Sequence, residues 1–249
     1  MKYFVTGTDT DSGKTLVSSG ILVAVNRWSK THKQPLKTAG FKPIASGCEK
    51  TNDGLRNSDA LSLMAASSQK LDYSIVNPIS FEPAIAPHVA AKQVGFDLSS
   101  ERVLSHFNPK TFSIADFNLI EGAGGWRLPL NNEQFLSEVV QTLDLPVILV
   151  VGLKLGCLNH AVLTQEVILA DGLNIVGWVA NCVDENMQAQ QDNLNSLNSM
   201  MNSPCLGVVP HLVEPTADNA ADYLDINLLL NSKIKNLSSV SVTNRYLQE

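Results

Sequence analysis

Gly7-Thr-Asp-Thr-Asp-Ser-Gly13-Lys14-Thr15 stands between a short β-rich run, Lys2–Thr6, and an apolar, helix-grade segment from Leu16 to Trp28. A polar turn with glycine at each end, handing a strand over to a helix, aims successive backbone N–H groups and the positive end of the helix at one point, which makes it a phosphate site. Lys14 can then reach the β- and γ-phosphates of a nucleoside triphosphate, and the Thr15 hydroxyl can ligate Mg²⁺. Five residues rather than four separate Gly7 from Gly13, so the first glycine is displaced by one position and the loop is a variant. The constraint on the fold is strong. Such a loop needs a strand whose carboxyl end is open to ligand and a helix folded back on the sheet, which commits the chain to an α/β architecture.

The rest of the chain agrees. Strand-like stretches (Lys2–Thr6, Thr38–Ala45, Asn118–Glu121, Val147–Gly152, Ile175–Asn181, Leu206–Val209) alternate with helical ones near 13–30, 58–67, 86–94, 99–107, 132–143, 159–171, 186–202 and 218–230. Val147–Val151 is apolar throughout, as expected of a strand covered on both faces. The reading is a doubly wound, mostly parallel sheet with helices on both faces, of the P-loop nucleotide-hydrolase type. No internal repeat or linker divides it, so 1–230 is expected to be one domain and 231–249, which turns polar, a C-terminal tail. A net charge of −6 argues against nucleic-acid or anionic-membrane partners. No apolar run approaches the roughly 20 residues of a membrane span. Four scattered cysteines without a C-x-x-C pair suit reduced thiols, and with a start that enters a strand at once they point to the cytoplasm.

In folds of this class ligands collect beyond the carboxyl ends of the strands, so each strand end is a candidate. The second strand ends in Gly40-Phe-Lys42-Pro-Ile-Ala-Ser46-Gly47. Lys42 there is either a cation for the phosphate site, at the end of a central strand, or a side chain snorkelling from that end. Asp59 follows Asn57 and Ser58, each able to cap a helix, and suits the dipole of its first turn. The third strand runs into Glu121-Gly122-Ala123-Gly124-Gly125, which places an acid where a second Mg²⁺-side carboxylate belongs and follows it with residues that let backbone approach a ligand. The fourth delivers Gly152-Leu-Lys154-Leu155-Gly156-Cys157-Leu158-Asn159-His160, a helix start without an acidic residue, suited to an anion such as a carboxylate. No chemistry is assigned to His160 or, as a nucleophile, to Cys157. Asn181, closing the fifth strand, either reads a base edge or caps the next helix.

Taken in order, these segments resemble the ATP-dependent dethiobiotin synthetases. The matching text is Tyr3–Thr10, Gly13–Thr15, Lys42-Pro43 with Ala45–Gly47, Gly54–Leu61, Glu121–Trp126, Leu145–Gly152, Lys154–Cys157, Asn159–Ala161 and Gly177–Asn181, over roughly residues 2 to 230. The resemblance implies a ligase reaction in which one amine of 7,8-diaminopelargonic acid takes up CO₂ as a carbamate. The carbamate attacks the γ-phosphate of ATP to form a carbamic–phosphoric anhydride, and the second amine closes the ureido ring with release of phosphate. It further implies Lys14 and Lys42 as fixed cations and Thr10 and Ser46 as hydrogen-bonding partners of the carbamate or diamine. Thr15, Asp59 and Glu121 would hold Mg²⁺, directly or through water. ATP would lie along Asp11, Ser12, Gly13, Lys14, Thr15, Leu16, Asp59, Glu121, Gly122, Ala123 and Gly124, with adenine at Asn181, Pro210, His211 and Leu212 and ribose at Asp218. It also implies a homodimer with its site at the subunit interface, the substrate's far carboxylate meeting N–H groups of the partner's Leu155–Asn159.

Three departures stand out. Asp11-Ser12 replaces the family's Glu-Val, Arg127 follows Trp126 without an assignable role, and the 210–218 segment is one residue longer than the family norm. Two alternatives share the fold: a switch or partitioning ATPase, and a relative without catalysis. The first uses a lysine at the position taken here by Asp9, whose charge is opposite. The second fits poorly with Lys14, Thr15, Lys42, Asp59 and Glu121 occurring together. From its strand-end position Lys42 is also expected to be replaceable without much harm to folding.

Overall fold

The computed structural model describes residues 1–107 and 109–230; the polar tail at 231–249 lies outside the described residues. Ten strands run in chain order: β1 Lys2–Gly7, β2 Thr38–Phe41, β3 Ile44–Ala45, β4 Glu49–Thr51, β5 Gly54–Arg56, β6 Ile79–Ser80, β7 Phe117–Gly125, β8 Val147–Gly152, β9 Ile175–Asn181 and β10 Cys205–Val209. Among them are helices α1 Lys14–Thr31, α2 Ser58–Ala66, α3 Tyr73–Val76, α4 Pro87–Gln93, α5 Ser100–His106, α6 Pro109–Phe112, α7 Leu136–Thr142, α8 Cys157–Ala170, α9 Gln190–Met200 and α10 Ala217–Ala221. Six strands form one parallel sheet in the order β10-β9-β8-β1-β7-β2. The chain steps from β1 over a gap to β2, returns to fill the gap with β7, then continues on the other side of β1 with β8. The strand order therefore reverses at β1, and the loop after β1 opens at the switch point where ligands of such sheets bind.

Side-chain alternation shows that both faces are covered. Tyr3 and Val5 of β1, Phe117 and Leu119 of β7, and Ile148 and Val150 of β8 pack with Val17, Ile21 and Leu22 of α1 and Leu63 of α2. Phe4 and Ile120 point the other way, into a cluster with Phe41, Val103 of α5 and Val139 of α7. Leu149 and Val151 join Ala161 of α8 and Leu197 of α9. Each such side chain, withdrawn from water, stabilises by about 1.5–3 kcal/mol before the entropy of ordering is counted. Among the described residues no helix is long and apolar enough to cross a membrane.

Three boundaries depart from the sequence reading, each for a local reason. The expected strand Thr38–Ala45 breaks at Lys42-Pro43, because proline has no N–H for the ladder; β3 leaves the sheet and pairs with β6 instead. β2 is also the edge strand of the main sheet rather than a central one, buried because α1 and α2 pack on it. The helix expected over 218–230 is interrupted after Ala221 and resumes over 227–230; between them Asp225 N donates to Leu206 O and Leu224 bridges Gly207, drawing the chain alongside β10. β7 continues to Gly125 rather than ending at Glu121, since Gly125 still pairs with Gly7 beyond a register shift.

Candidate active site

α1 begins at Lys14 with Gly13 as its N-cap in the left-handed region, φ 84°. A Cβ on Gly13 would overlap the Asn181 carboxamide, which with its left-handed backbone makes glycine necessary there, and one on Gly7 would force Ser12 Oγ to move. Asn181, buried at the end of β9, donates from Nδ2 to Ser12 O at 3.1 Å. In this structure its carboxamide holds the loop rather than capping a helix. Asp11, exposed, also has positive φ, 59°, a conformation Asp tolerates better than most residues. The turn thus keeps its N–H groups directed across the carboxyl edge of the sheet. Lys14 lies folded over it, Nζ donating to Asp9 O at 2.9 Å. Burial, and next the positive charge of Lys42, push the Lys14 ammonium down to about 8.

The structure brings the strand-end charges together in front of this turn. Lys42 Nζ is 2.7 Å from Glu121 Oε1 and 2.9 Å from Asp59 Oδ2, and it donates to Gly122 O at 3.1 Å. Thr15 Oγ1 donates to the same Glu121 oxygen at 2.8 Å. Burial opposes the Lys42 ammonium, but the Glu121 and Asp59 charges outweigh it and hold its pKa above the usual lysine range. Burial likewise works to raise the Asp59 carboxyl, and the charge and hydrogen bond of Lys42 overcome it, leaving the pKa below the usual carboxylate range. A Lys42 side chain 5% exposed against a fully buried Glu121 corrects the expectation that the lysine is structurally dispensable. It is the counter-ion of a buried carboxylate, and removing one member of such a pair leaves the other charge unbalanced.

Beside these groups lies a cleft of about 790 Å³, lined by Thr10, Asp11, Gly13, Lys14, Thr15, Leu16, Lys42, Ser46, Asn57, Asp59, Ala123 and Gly124 among others. Its far wall is Ala84-Ile85-Ala86-Pro87 with Leu128, which the sequence reading did not single out. An apolar, small-residue run opening a helix is a faint signal in sequence. Asn77 and Tyr73 were also missed: Asn77 Nδ2 donates to Lys42 O at 2.7 Å, and the Tyr73 hydroxyl donates to Asn77 Oδ1 and accepts from Asn57 N. That network ties the backbone of Lys42 to the cap of α2, which Asn57 makes by accepting from Ala60 N, so Lys42 and Asp59 are held relative to each other.

The oxygen set suits a hard divalent cation. Glu121 Oε2 is buried and has no hydrogen-bond partner among the described residues, and the Asp59 carboxylate and Thr15 hydroxyl share the neighbourhood of Lys42 and Glu121 Oε1. Other sequence candidates lie further out. Leu155 is 94% exposed and Gly156, with φ 94°, caps α8, whose first residues include buried Cys157, half-buried Leu158 and exposed Asn159. Pro210 and Leu212 are half-buried, and His211 stands 4.0 Å from Glu185. Asp218 is paired with Arg27 at 3.0 Å on the rim of a second hollow of about 460 Å³ that also touches Thr15 and Leu16.

A family profile described as an AAA domain matches residues 1–219. The chain is 50% identical over 230 residues to the ATP-dependent dethiobiotin synthetase BioD of Cellvibrio japonicus, covering 92% of this chain and 98% of that one. It is likewise 50% identical over 233 residues to the protein of the same name from Marinobacter nauticus, covering 92% and 97%. Among solved structures it is similar to the MinC:MinD cell division complex of Aquifex aeolicus, with TM-score 0.52, 13% identity and 94% and 89% of the two chains covered. A ParA family ATPase from Chlorobium tepidum gives TM-score 0.51 at 12% identity over 88% and 89%. The likeness to these two structures concerns the fold, and agrees with the type of sheet expected from the loop at 7–15. The curated relatives go further: this chain belongs to the ATP-dependent dethiobiotin synthetase family.

Proposed function

We propose that the protein is an ATP-dependent dethiobiotin synthetase, a ligase that carboxylates 7,8-diaminopelargonic acid with CO₂ or bicarbonate and closes the ureido ring, releasing ADP and phosphate. The observation that carries this function is that Lys14, Lys42 and Asp59 line one cleft beside the phosphate-binding turn, with buried Glu121 in contact with Lys42 behind it. Charge builds on oxygens at every step: on the carbamate, on the transferring phosphoryl group and on the departing phosphate. Fixed ammonium groups and backbone donors stabilise such charge with little reorganisation, and no covalent nucleophile is needed. Lys14 and the N–H groups of Ser12–Thr15 cradle the triphosphate. Lys42 holds the carbamate and the anhydride oxygens, and Thr10 and Ser46, which line the same cleft, orient the diamine end. Bound by Thr15, Asp59 and Glu121, Mg²⁺ would supply charge neutralisation to the β- and γ-phosphate oxygens. Gly122, Ala123 and Gly124 pass backbone close to the nucleotide, whose adenine is assigned to Asn181 and Pro210–Leu212 and its ribose to Asp218.

One synthetase domain over 1–230, a cytoplasmic location and a homodimer complete the proposal. The start of α8 supports the dimer, since Leu155, Gly156 and Asn159 are exposed and can meet a neighbouring subunit's substrate carboxylate. Against a partitioning ATPase, Asp9 carries the wrong charge to act across a dimer and is engaged with Lys154 of its own chain at 2.9 Å. The test is phosphate release coupled to mass spectrometry of the product. Omitting either diaminopelargonic acid or bicarbonate should bring both to background; phosphate release indifferent to the two would refute the synthetase function. Sedimentation at enzyme-assay concentration should give twice the mass of one chain.

A further inference from the structure

Gly122, Gly124 and Gly125 have no side chains with which to hold the strand end that carries Glu121, and Gly124 sits at φ 60°. The ladder with β1 holds this stretch at Glu121 and again at Gly125, but its register shifts between the two, and a glycine run there is free to take several backbone paths unless packing and hydrogen bonds restrain it further. Besides the ladder and the bond from Lys42 Nζ to Gly122 O, two further restraints are visible. Beneath the strand lies the Phe4 ring, close enough that a Cβ on Gly122 would meet Cζ at 2.8 Å. Trp126 stands edge-on to the same ring, centroids 6.0 Å apart at 76°, and is 5% exposed.

The second restraint comes from the far end of α8. Asp171, its C-cap, accepts from Trp126 Nε1 through Oδ2 and from Arg127 NH2 through Oδ1, both at 2.7 Å. Arg127 in turn donates from NH1 to buried Ser137 Oγ at 2.7 Å and lies over the Phe135 ring at 5.6 Å. A carboxylate at a helix C-terminus faces the negative end of the helix dipole, so this position is unfavourable for the helix itself. Both of its oxygens are spent instead on the two residues that follow the glycine run. Leu128, next in line, is a wall of the cleft.

We infer that Asp171 is a positioning residue for the reaction: by clamping Trp126 and Arg127 it fixes the backbone from Glu121 to Gly125 and so the place of the Glu121 carboxylate. The inference rests on the proposed role of Glu121 in holding Mg²⁺, and it gives Arg127 a role that the motif alone did not. Misplacement of a reacting group by about 1 Å lowers turnover by up to about a hundredfold. Asp171→Ala is therefore expected to lower kcat by about ten- to a hundredfold and to raise the Mg²⁺ concentration at half-saturation. Asp171→Asn, which keeps the acceptor for Trp126, should lose less. Trp126→Phe keeps the ring and removes the N–H, and combined with Asp171→Ala it should add little to the single loss, because both break one clamp.

Kinetics and Mg²⁺ titrations would be run on the full chain below its unfolding temperature, with Glu121→Gln alongside. If Asp171→Ala and Asp171→Asn lower only the unfolding temperature and leave kcat and the Mg²⁺ midpoint at wild-type values, Asp171 is merely structural and the inference is overturned. Should Asp171→Ala not fold, Asp171→Asn and Trp126→Phe decide by the same two readouts. A Glu121→Gln midpoint equal to wild type would remove the metal role of Glu121 itself, a failure separate from that of the clamp.

Discussion

Replacing Lys42 by Met keeps the stem and deletes the ammonium that contacts both Glu121 and Asp59. Glu121 is fully buried, Thr15 is its remaining partner at Oε1, and its Oε2 has none among the described residues. Breaking a buried ion pair in this way costs about 3–5 kcal/mol. An independent bound comes from proton uptake. The variant can relieve the repulsion by protonating one carboxylate, which for an ordinary glutamate of pKa about 4.3 costs about 3.7 kcal/mol at pH 7 and about 1.6 kcal/mol at pH 5.5. The two routes agree at neutral pH, and the second gives a pH signature.

In the wild type the lowered pKa of Asp59 contributes stability that is present above the ordinary aspartate pKa and lost only as pH falls through the lower folded value. Between pH 5.5 and 7.5 that contribution is constant. In the variant the folded state takes up a proton that the unfolded state lacks, so its stability rises as pH falls. Urea unfolding should therefore show Lys42→Met destabilised by about 3–4 kcal/mol at pH 7 and by about half that at pH 5.5. Added Mg²⁺ should restore stability to the variant more than it raises that of the wild type, because the two acids lose their direct ammonium partner and keep only the more distant charge of Lys14. A loss below about 1 kcal/mol at pH 7, or one equal at both pH values, would refute the account of Lys42 as counter-ion.

Three further outcomes are expected. Gly13→Ala places a side chain into Asn181 at φ 84° and should weaken ATP binding by at least about tenfold, read by calorimetry; wild-type affinity would show that the loop yields to the methyl group. Since burial and Lys42 depress Lys14 to about 8 and the triphosphate requires its charged form, ATP binding should take up a proton above pH 8 and weaken as pH rises. Binding enthalpies at pH 8.5 that do not vary with buffer ionisation enthalpy would disprove that linkage. Asn77→Ala removes the donor to Lys42 O and should lower kcat more than it raises the KM for ATP, because it loosens a group of the carbamate end; an effect confined to KM would count against it.

Much of the architecture was legible because it is written in short-range pattern. Val147–Gly152 and Ile175–Asn181 have the bounds expected from their apolar runs, since a strand buried on both faces carries no polar interruption. The Thr38–Ala45 stretch was misjudged because its composition is β-prone on both sides of Lys42-Pro43 while the missing proline N–H ends the ladder. The helix expected over 218–230 is broken between Ala221 and residue 227 by a contact no local window contains, the hydrogen bond from Asp225 N to Leu206 O. The edge position of β2 was illegible for a related reason: strand order depends on where β7 returns, and periodicity carries no information about partners.

By itself the sequence determined the strand, the phosphate turn and the helix after it, because a phosphate cradle is built from consecutive backbone N–H groups and is local in the chain. It also marked Lys42 and Glu121 by their places at strand ends, while Asp59, by position a helix-opening acid, became a metal-site candidate only through the family resemblance. Only the tertiary structure decided that one ammonium would sit between the two acids, with Lys42 and Glu121 79 residues apart in the chain. It alone also set Asp171 beneath Trp126 and Arg127. Ion pairs and burial are properties of through-space distance and of the medium between charges, and neither exists until the sheet has brought its strand ends to one edge.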